Sequence, residues 1–209
     1  MIIGNQTKLY YKKKSWLTPK HPLYFEEEEF KIYYASAVMI HAEKNQSMSP
    51  EQKYELERLL HHGLDLNAGQ MVRVLKKAAN PSEVLDYLYS HTDLGMKRYL
   101  LMLDLYNISS EEELSRQETD NLWLFAHMLE IPEKYMRLFE HFIRGARKEN
   151  EGECRRIFAM MTECKIELSL MELKYYLMTL YDVFECTQDM LEKNKRIRLV
   201  DRCVIREDL

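Results

Sequence analysis

Glycine and proline are both rare in this chain, with 6 and 5 among 209 residues. Six scattered glycines exclude a glycine-rich phosphate cradle. The shortage of both breakers argues for helices over a strand-rich, turn-rich fold. Cysteine is scarce too. Cys154, Cys164, Cys186 and Cys203 all fall late, and no two are spaced as Cys-x-x-Cys. That excludes the usual zinc spacing and a stapled secreted fold, and points to reduced thiols in a cytosolic protein. No apolar run approaches the roughly 20 residues of a membrane span; Tyr33–Ile40 is among the longest. Lys12, Lys13 and Lys14 are not followed by an apolar stretch, so no signal peptide is expected. Neither sign of charge dominates. A net charge of −4 makes nucleic acid and anionic membrane poor candidates as general partners.

What is present is a globular composition, 46 % hydrophobic and 31 % charged, with 13 methionines. The fold class expected is all-α: a compact bundle of about seven helices with weak internal duplication, plus two C-terminal helices. The organisation read from the chain is an aromatic, basic arm (1–28), a helical domain (29–147), a helical extension (148–194) and a basic tail (195–209).

The arm sets Tyr10, Tyr11 and Trp16 among lysines, with Pro19 and Pro22 opposing a long helix. Its aromatics imply packing, either on this protein's own helices or on a partner. Glu26–Glu29 then place four carboxylates at the start of the first helix, where they complement its dipole. Ser49, Pro50 and Gln52 form a start signal for the second, and Gly63 is placed to end it. A third helix is expected near 67–79, with Met71, Val72, Val74 and Leu75 apolar. Asn80-Pro81-Ser82-Glu83 opens a fourth. A fifth runs near 95–106. Ser115 and Glu118 box the sixth, and Pro132 opens the seventh. Two more are expected near 152–168 and 170–193. Leu199-Val200 and Cys203-Val204-Ile205 are the best strand candidates and are too short to count.

Residues 49–75 echo residues 115–139. Ser49-x-x-Gln52 matches Ser115-x-x-Glu118, Leu56 matches Leu122, and Leu59 matches Phe125. After a slip of one residue, Leu64-Asp65-Leu66-Asn67 matches Leu129-Glu130-Ile131-Pro132, and Met71 matches Met136. The pitch of about 65 residues is longer than common solenoid repeats, and two copies fit a closed bundle better than an array.

On these stretches, residues 29 to about 146 resemble the TerB-like domain, a family named from a tellurite-resistance protein. The carriers are Ala37–Glu43 running into Met48-Ser49-Pro50-Glu51-Gln52, Leu101-Met102-Leu103-Asp104 running into Leu114–Glu118, and the junctions Leu64-Asp65-Leu66 and Leu129-Glu130-Ile131. The resemblance implies a doubled seven-helix plan and a non-enzymatic interaction module in bacterial stress or tellurite resistance. It also implies carboxylates that bind a divalent cation such as Ca²⁺. Family loops carry Asp-Gly; the first loop here reads Glu43-Lys44-Asn45-Gln46-Ser47, and the second lacks the dipeptide too. The oxygen ligands left available are Asp104, Glu111, Glu112, Glu113 and Glu118. The plainer reading of the last four is a solvated acidic loop before a helix N-terminus.

Other constellations are thin. Glu-x-x-His and His-Glu-x-x-His are both absent, as is Gly-x-Ser-x-Gly. His61 and His62 are adjacent and so point about 100° apart on a helix, which suits a surface role better than a shared ion. His41, His127 and His141 either converge inside the bundle or serve as satisfied core or rim residues, the plainer case. Methionines of the last helices, Met171 and Met178 among them, either fill the core or offer an adaptable protein-binding surface. The expected partner is therefore a protein, through the arm aromatics or these methionines, or a second copy in a homo-oligomer.

Overall fold

The computed structural model describes residues 19–44, 48–91, 95–109 and 114–177. Among the described residues there are nine α-helices and no strand. They are α1 (Glu28–Lys44), α2 (Pro50–Glu57), α3 (Ala68–Ala78), α4 (Pro81–His91), α5 (Met96–Ile108), α6 (Arg116–Met128), α7 (Glu133–Arg147), α8 (Glu151–Glu163) and α9 (Leu170–Leu177). One wide π-helical turn, Arg58–Gly63, continues α2.

The helix starts follow from local chemistry. Ser49 and Gln52 exchange side-chain and backbone bonds at α2, and Ser115 and Glu118 do the same at α6. Each box satisfies two donors that the first turn leaves open. Asn67 and Gln70 form a third box at α3, and Ser169 and Glu172 exchange the same two bonds before α9. The stops are equally local. Glu130, Glu149 and Lys165 adopt left-handed backbone with φ of 54°, 50° and 57°. The amide after each reaches five residues back, from Ile131 to Ala126, Asn150 to Gly145 and Ile166 to Met161. These are Schellman closures built without glycine. Asp65, at φ 59°, closes the π turn, with Leu66 N–H reaching Leu60. Gly63 does not supply the left-handed residue expected of it.

Two helices are central. In α1, every residue from Ile32 to Ala42 except Met39 is buried; in α5, every residue from Tyr99 to Ile108 is buried. A helix buried all round cannot show a one-sided apolar stripe. The others wrap them: α3, α4 and α6 pack on α1, and α2, α6 and α7 pack on α5. α8 lies on α7, and α9 also touches it. On the wrapping helices burial follows helical spacing, with Leu122, Phe125 and Ala126 buried on α6 and Met136, Phe139 and Phe142 on α7. The third helix departs from expectation. Val74 and Ala78 are its buried residues, while Val72 and Leu75 stand half exposed, because α1 covers only a narrow stripe of α3. The eighth helix stops at Glu163 rather than continuing to 168, since Lys165 turns the chain. The ninth is described to Leu177; the strand candidates and basic tail lie outside the described residues.

The echo has a structural counterpart. His41 stands eight residues before Ser49, and Asn107 eight before Ser115; Glu55 and Asn121 each follow their serine by six. Asn121 Nδ2 donates to His41 Nδ1 at 2.9 Å, and Asn107 Nδ2 donates to Glu55 Oε2 at 2.9 Å. The same pair of positions thus bonds twice, each time across the two units. The one-residue slip is explained too. Ser49 to Asp65 spans 16 residues and Ser115 to Glu130 spans 15. The π turn absorbs the extra residue, which is how a single insertion is accommodated in a helix.

Candidate functional site

α5 and its C-cap carry a row of buried polar groups, Asp104, Asn107 and Ser109, in an otherwise apolar interior. Each organises a cluster.

Asp104 accepts three donors from three separate parts of the chain. Tyr34 of α1 donates at 2.5 Å and Tyr176 of α9 at 2.9 Å. His21, in the segment before α1, places Nε2 at 3.1 Å. His21 Nδ1 accepts from the Leu23 amide at 3.2 Å, which fixes the proton on Nε2 and aims it at Asp104. The His21 and Asp104 side chains are 0 % and 1 % exposed. Burial raises the Tyr34 and Tyr176 phenols, and the charge of Asp104 raises them further, so both remain donors. The His21 ring also meets Tyr175 edge-on at 4.9 Å.

Asn107 leads to Arg58, the first residue of the π turn. Arg58 is buried, with Nε and Nη2 on Glu55 Oε2 at 2.8 and 2.6 Å, the oxygen that Asn107 also reaches. Its Nη1 donates to the Tyr175 carbonyl at 3.2 Å, and its guanidinium lies 4.0 Å from the Tyr175 ring centre. A buried guanidinium demands this full set of partners. Gly63, at the end of the same turn, makes the crowding possible: a Cβ there would lie 3.1 Å from His21 Cβ and 3.4 Å from the Tyr175 hydroxyl.

Ser109 leads to His41. Ser109 Oγ donates to the Leu105 carbonyl at 2.7 Å, so it accepts from His41 Nε2 at 2.8 Å. Asn121 then donates to Nδ1. His41 is neutral and fully paired, and burial pushes its pKa down to about 4 against an opposing pull from Glu118. Gln52 joins this end of α5 by donating to the Ile108 carbonyl at 3.2 Å.

The residues expected to hold a cation are divided by this geometry. Asp104 is engaged by phenols and imidazole. Glu118 is buried at the start of α6, in its capping box and within the field of His41. Glu111, Glu112 and Glu113 lie outside the described residues. Among the described residues no three His, Cys, Asp or Glu side chains gather as a metal site. His41 is the satisfied core histidine of the plainer reading, whereas His127 and His141 are exposed and do not join it. His61 and His62 are exposed, as a surface role requires. Of the partner-binding candidates, Met171 is 67 % exposed; Tyr10, Tyr11, Trp16 and Met178 lie outside the described residues. Cys154 is a buried free thiol and Cys164 a half-buried one. No described helix is long and apolar enough to cross a membrane.

His21 was not singled out by sequence reasoning. It sits in Pro19-Lys20-His21-Pro22, where no periodicity marks a buried position. Arg58 interrupts an apolar stripe, and the sole clue to it was the extra residue in the echo.

On the surface, α6 and α7 leave an open depression of about 170 Å³, with Tyr106, Leu114, Leu122, Trp123 and Met136 as its apolar lining and Thr119, Glu133, Arg137 and Glu140 as its polar and charged lining. Trp123 and Leu124 stand 45 % and 47 % exposed on α6. Comparison with protein families, with curated proteins and with solved structures finds no match.

Proposed function

We propose that this chain is a non-enzymatic protein-interaction module of the TerB-like type. The observation that carries the reading is the exposed Trp123 on α6, at the rim of an open depression of mixed apolar and charged lining, with exposed Leu124 next to it in sequence. Large aromatic residues at the edge of a pocket are typical anchors of protein binding. Two features support the family part of the reading. The doubled plan that the resemblance implies is closed by reciprocal pairs, and both of its junctions, Leu64-Asp65-Leu66 and Leu129-Glu130-Ile131, turn through a left-handed middle residue. Recovery of a partner from the native host with the wild-type chain, and its loss with Trp123→Glu, tests the surface. Equal recovery by both would overturn it.

The cation-linked form of this reading rests on Glu111, Glu112 and Glu113, since Asp104 and Glu118 are already engaged. A cation bound to the folded state must raise the thermal midpoint. A rise with Ca²⁺, abolished when the three loop glutamates become glutamine, is the expected result; an unchanged midpoint with every divalent cation removes it. A metal-free scaffold acting through the C-terminal helices is favoured instead by the exposure of Met171. Loss of partner recovery with Met171→Glu but not with Trp123→Glu would select that alternative.

A further inference from the structure

We infer that residues 19–25 and α9 form a two-part clasp, coupled through Asp104, that opens as one unit while the α1–α5 centre stays folded. The inference is independent of the proposed function.

Asp104 supplies the coupling. Of its three donors, Tyr34 belongs to the central α1, while His21 and Tyr176 arrive on the two outer segments. A buried carboxylate is tolerated in proportion to its hydrogen bonds. Withdrawing either outer segment uncovers the carboxylate to water, which can replace the donor of the other segment, so that the remaining bond no longer holds its segment in place. The two segments also touch each other. The His21 ring packs against Tyr175 at 4.9 Å, and its Nε2 lies 3.3 Å from the Tyr176 hydroxyl. Neither contact survives the departure of its partner.

Outside this cluster the lead-in segment is tied to α1, where Lys31 Nζ donates to the Tyr24 carbonyl at 3.2 Å, and to Asp65. Lys20 meets Asp65 at 3.9 Å, and Tyr24 reaches Asp65 at 3.4 Å, both near the surface. Leu23 is its buried apolar anchor. α9 has a firmer seat, with Leu173 and Leu177 buried and Arg58 gripping the Tyr175 carbonyl. Arg58 and Asp104 are two buried charges of opposite sign, each answered in part by α9. Opening would present both to solvent, together with the rim of the π turn. The clasp is therefore a closure over a polar, aromatic crevice, and either segment can release it.

Native-state hydrogen exchange on the full chain tests this. In the wild type at low denaturant, the bonded amides of Leu23 and Tyr24 and those of α9 should merge into one opening process of lower free energy than that of α1 and α5. Separate processes for the two segments would overturn the coupling. Two variants make the test reciprocal. His21→Gln should speed exchange in α9, and Tyr176→Phe should speed exchange of the Leu23 and Tyr24 amides, each by about tenfold or more, the size expected for a charge-assisted bond. Exchange in α1 and α5 should be unchanged at low denaturant. If each variant loosens only its own segment, or loosens the centre equally, the clasp does not exist.

Discussion

His41 is held neutral by two bonds of fixed sense, one given to Ser109 and one taken from Asn121. Its folded pKa is about 4, below the ordinary 6.5, with burial the main cause. The unfolded chain therefore takes up a proton as pH falls through 6.5, and the folded chain does not until about 4. Stability supplied by His41 is complete above 6.5 and drains away below it, by about 3 kcal/mol at pH 4. Urea unfolding of wild type and His41→Gln between pH 7 and pH 4 reads this directly. The wild type should lose more stability than the variant by roughly that amount; parallel profiles would refute the assignment. Gly63 makes a second point at this scale. Its φ is not left-handed, so alanine meets no backbone strain there. It meets His21 instead, at 3.1 Å. Gly63→Ala should cost about 1–3 kcal/mol, as small overpacking does, measured by denaturant unfolding. A neutral result would mean that the lead-in segment yields freely.

All nine helices were legible as helices, but which face is buried could be read only for those with one wet face. Leu122, Phe125 and Ala126 fall on one side of α6 because water takes the other. α1 and α5 give no such contrast, so their central place could be inferred only from their apolar content. The capping boxes at Ser49 and Ser115 were readable because serine and a glutamine or glutamate three residues later have one dominant local use. The left-handed stops were hidden, because Asp65, Glu130, Glu149 and Lys165 are not glycine. That concealment has an energetic consequence. An L-residue in the left-handed region carries roughly 1–2 kcal/mol of strain, of which glycine's entropy loss offsets only part. Glu130 has an exposed side chain, and its amide serves the closure whatever the residue. Glu130→Gly should therefore raise stability by about 0.5–1 kcal/mol, and Glu130→Val should lower it. Thermal melts of the two variants decide the matter; a destabilised glycine variant would mean that the Glu130 side chain holds something of its own.

At the scale of the molecule, the echo in the sequence foretold a doubled plan but not how the copies would bind each other. The pairs His41–Asn121 and Glu55–Asn107 join residues 80 and 52 apart in sequence, and no local rule links such positions. The candidate cation residues came from the family resemblance, which carries no information on these long-range partners, and folding draws Asp104 toward His21 and Tyr176 instead. The crossed pairs have a thermodynamic consequence. Each unit completes the polar contacts of the other, and α1 and α5 lie against one another at the centre. Neither unit can unfold without exposing the other's buried polar groups, so the two should melt as one. Far-ultraviolet circular dichroism follows all the helices, while tryptophan fluorescence includes Trp123 on α6. Their unfolding curves in urea should coincide, as a single cooperative transition requires. Asn121→Ala leaves His41 Nδ1 without its donor and should lower the unfolding free energy by about 1–3 kcal/mol, the penalty of one unsatisfied buried group, moving the common midpoint to lower urea. The two signals should still move together. If fluorescence shifted ahead of circular dichroism, the second unit would be unfolding alone, and the crossed pairs would be contacts without cooperative force.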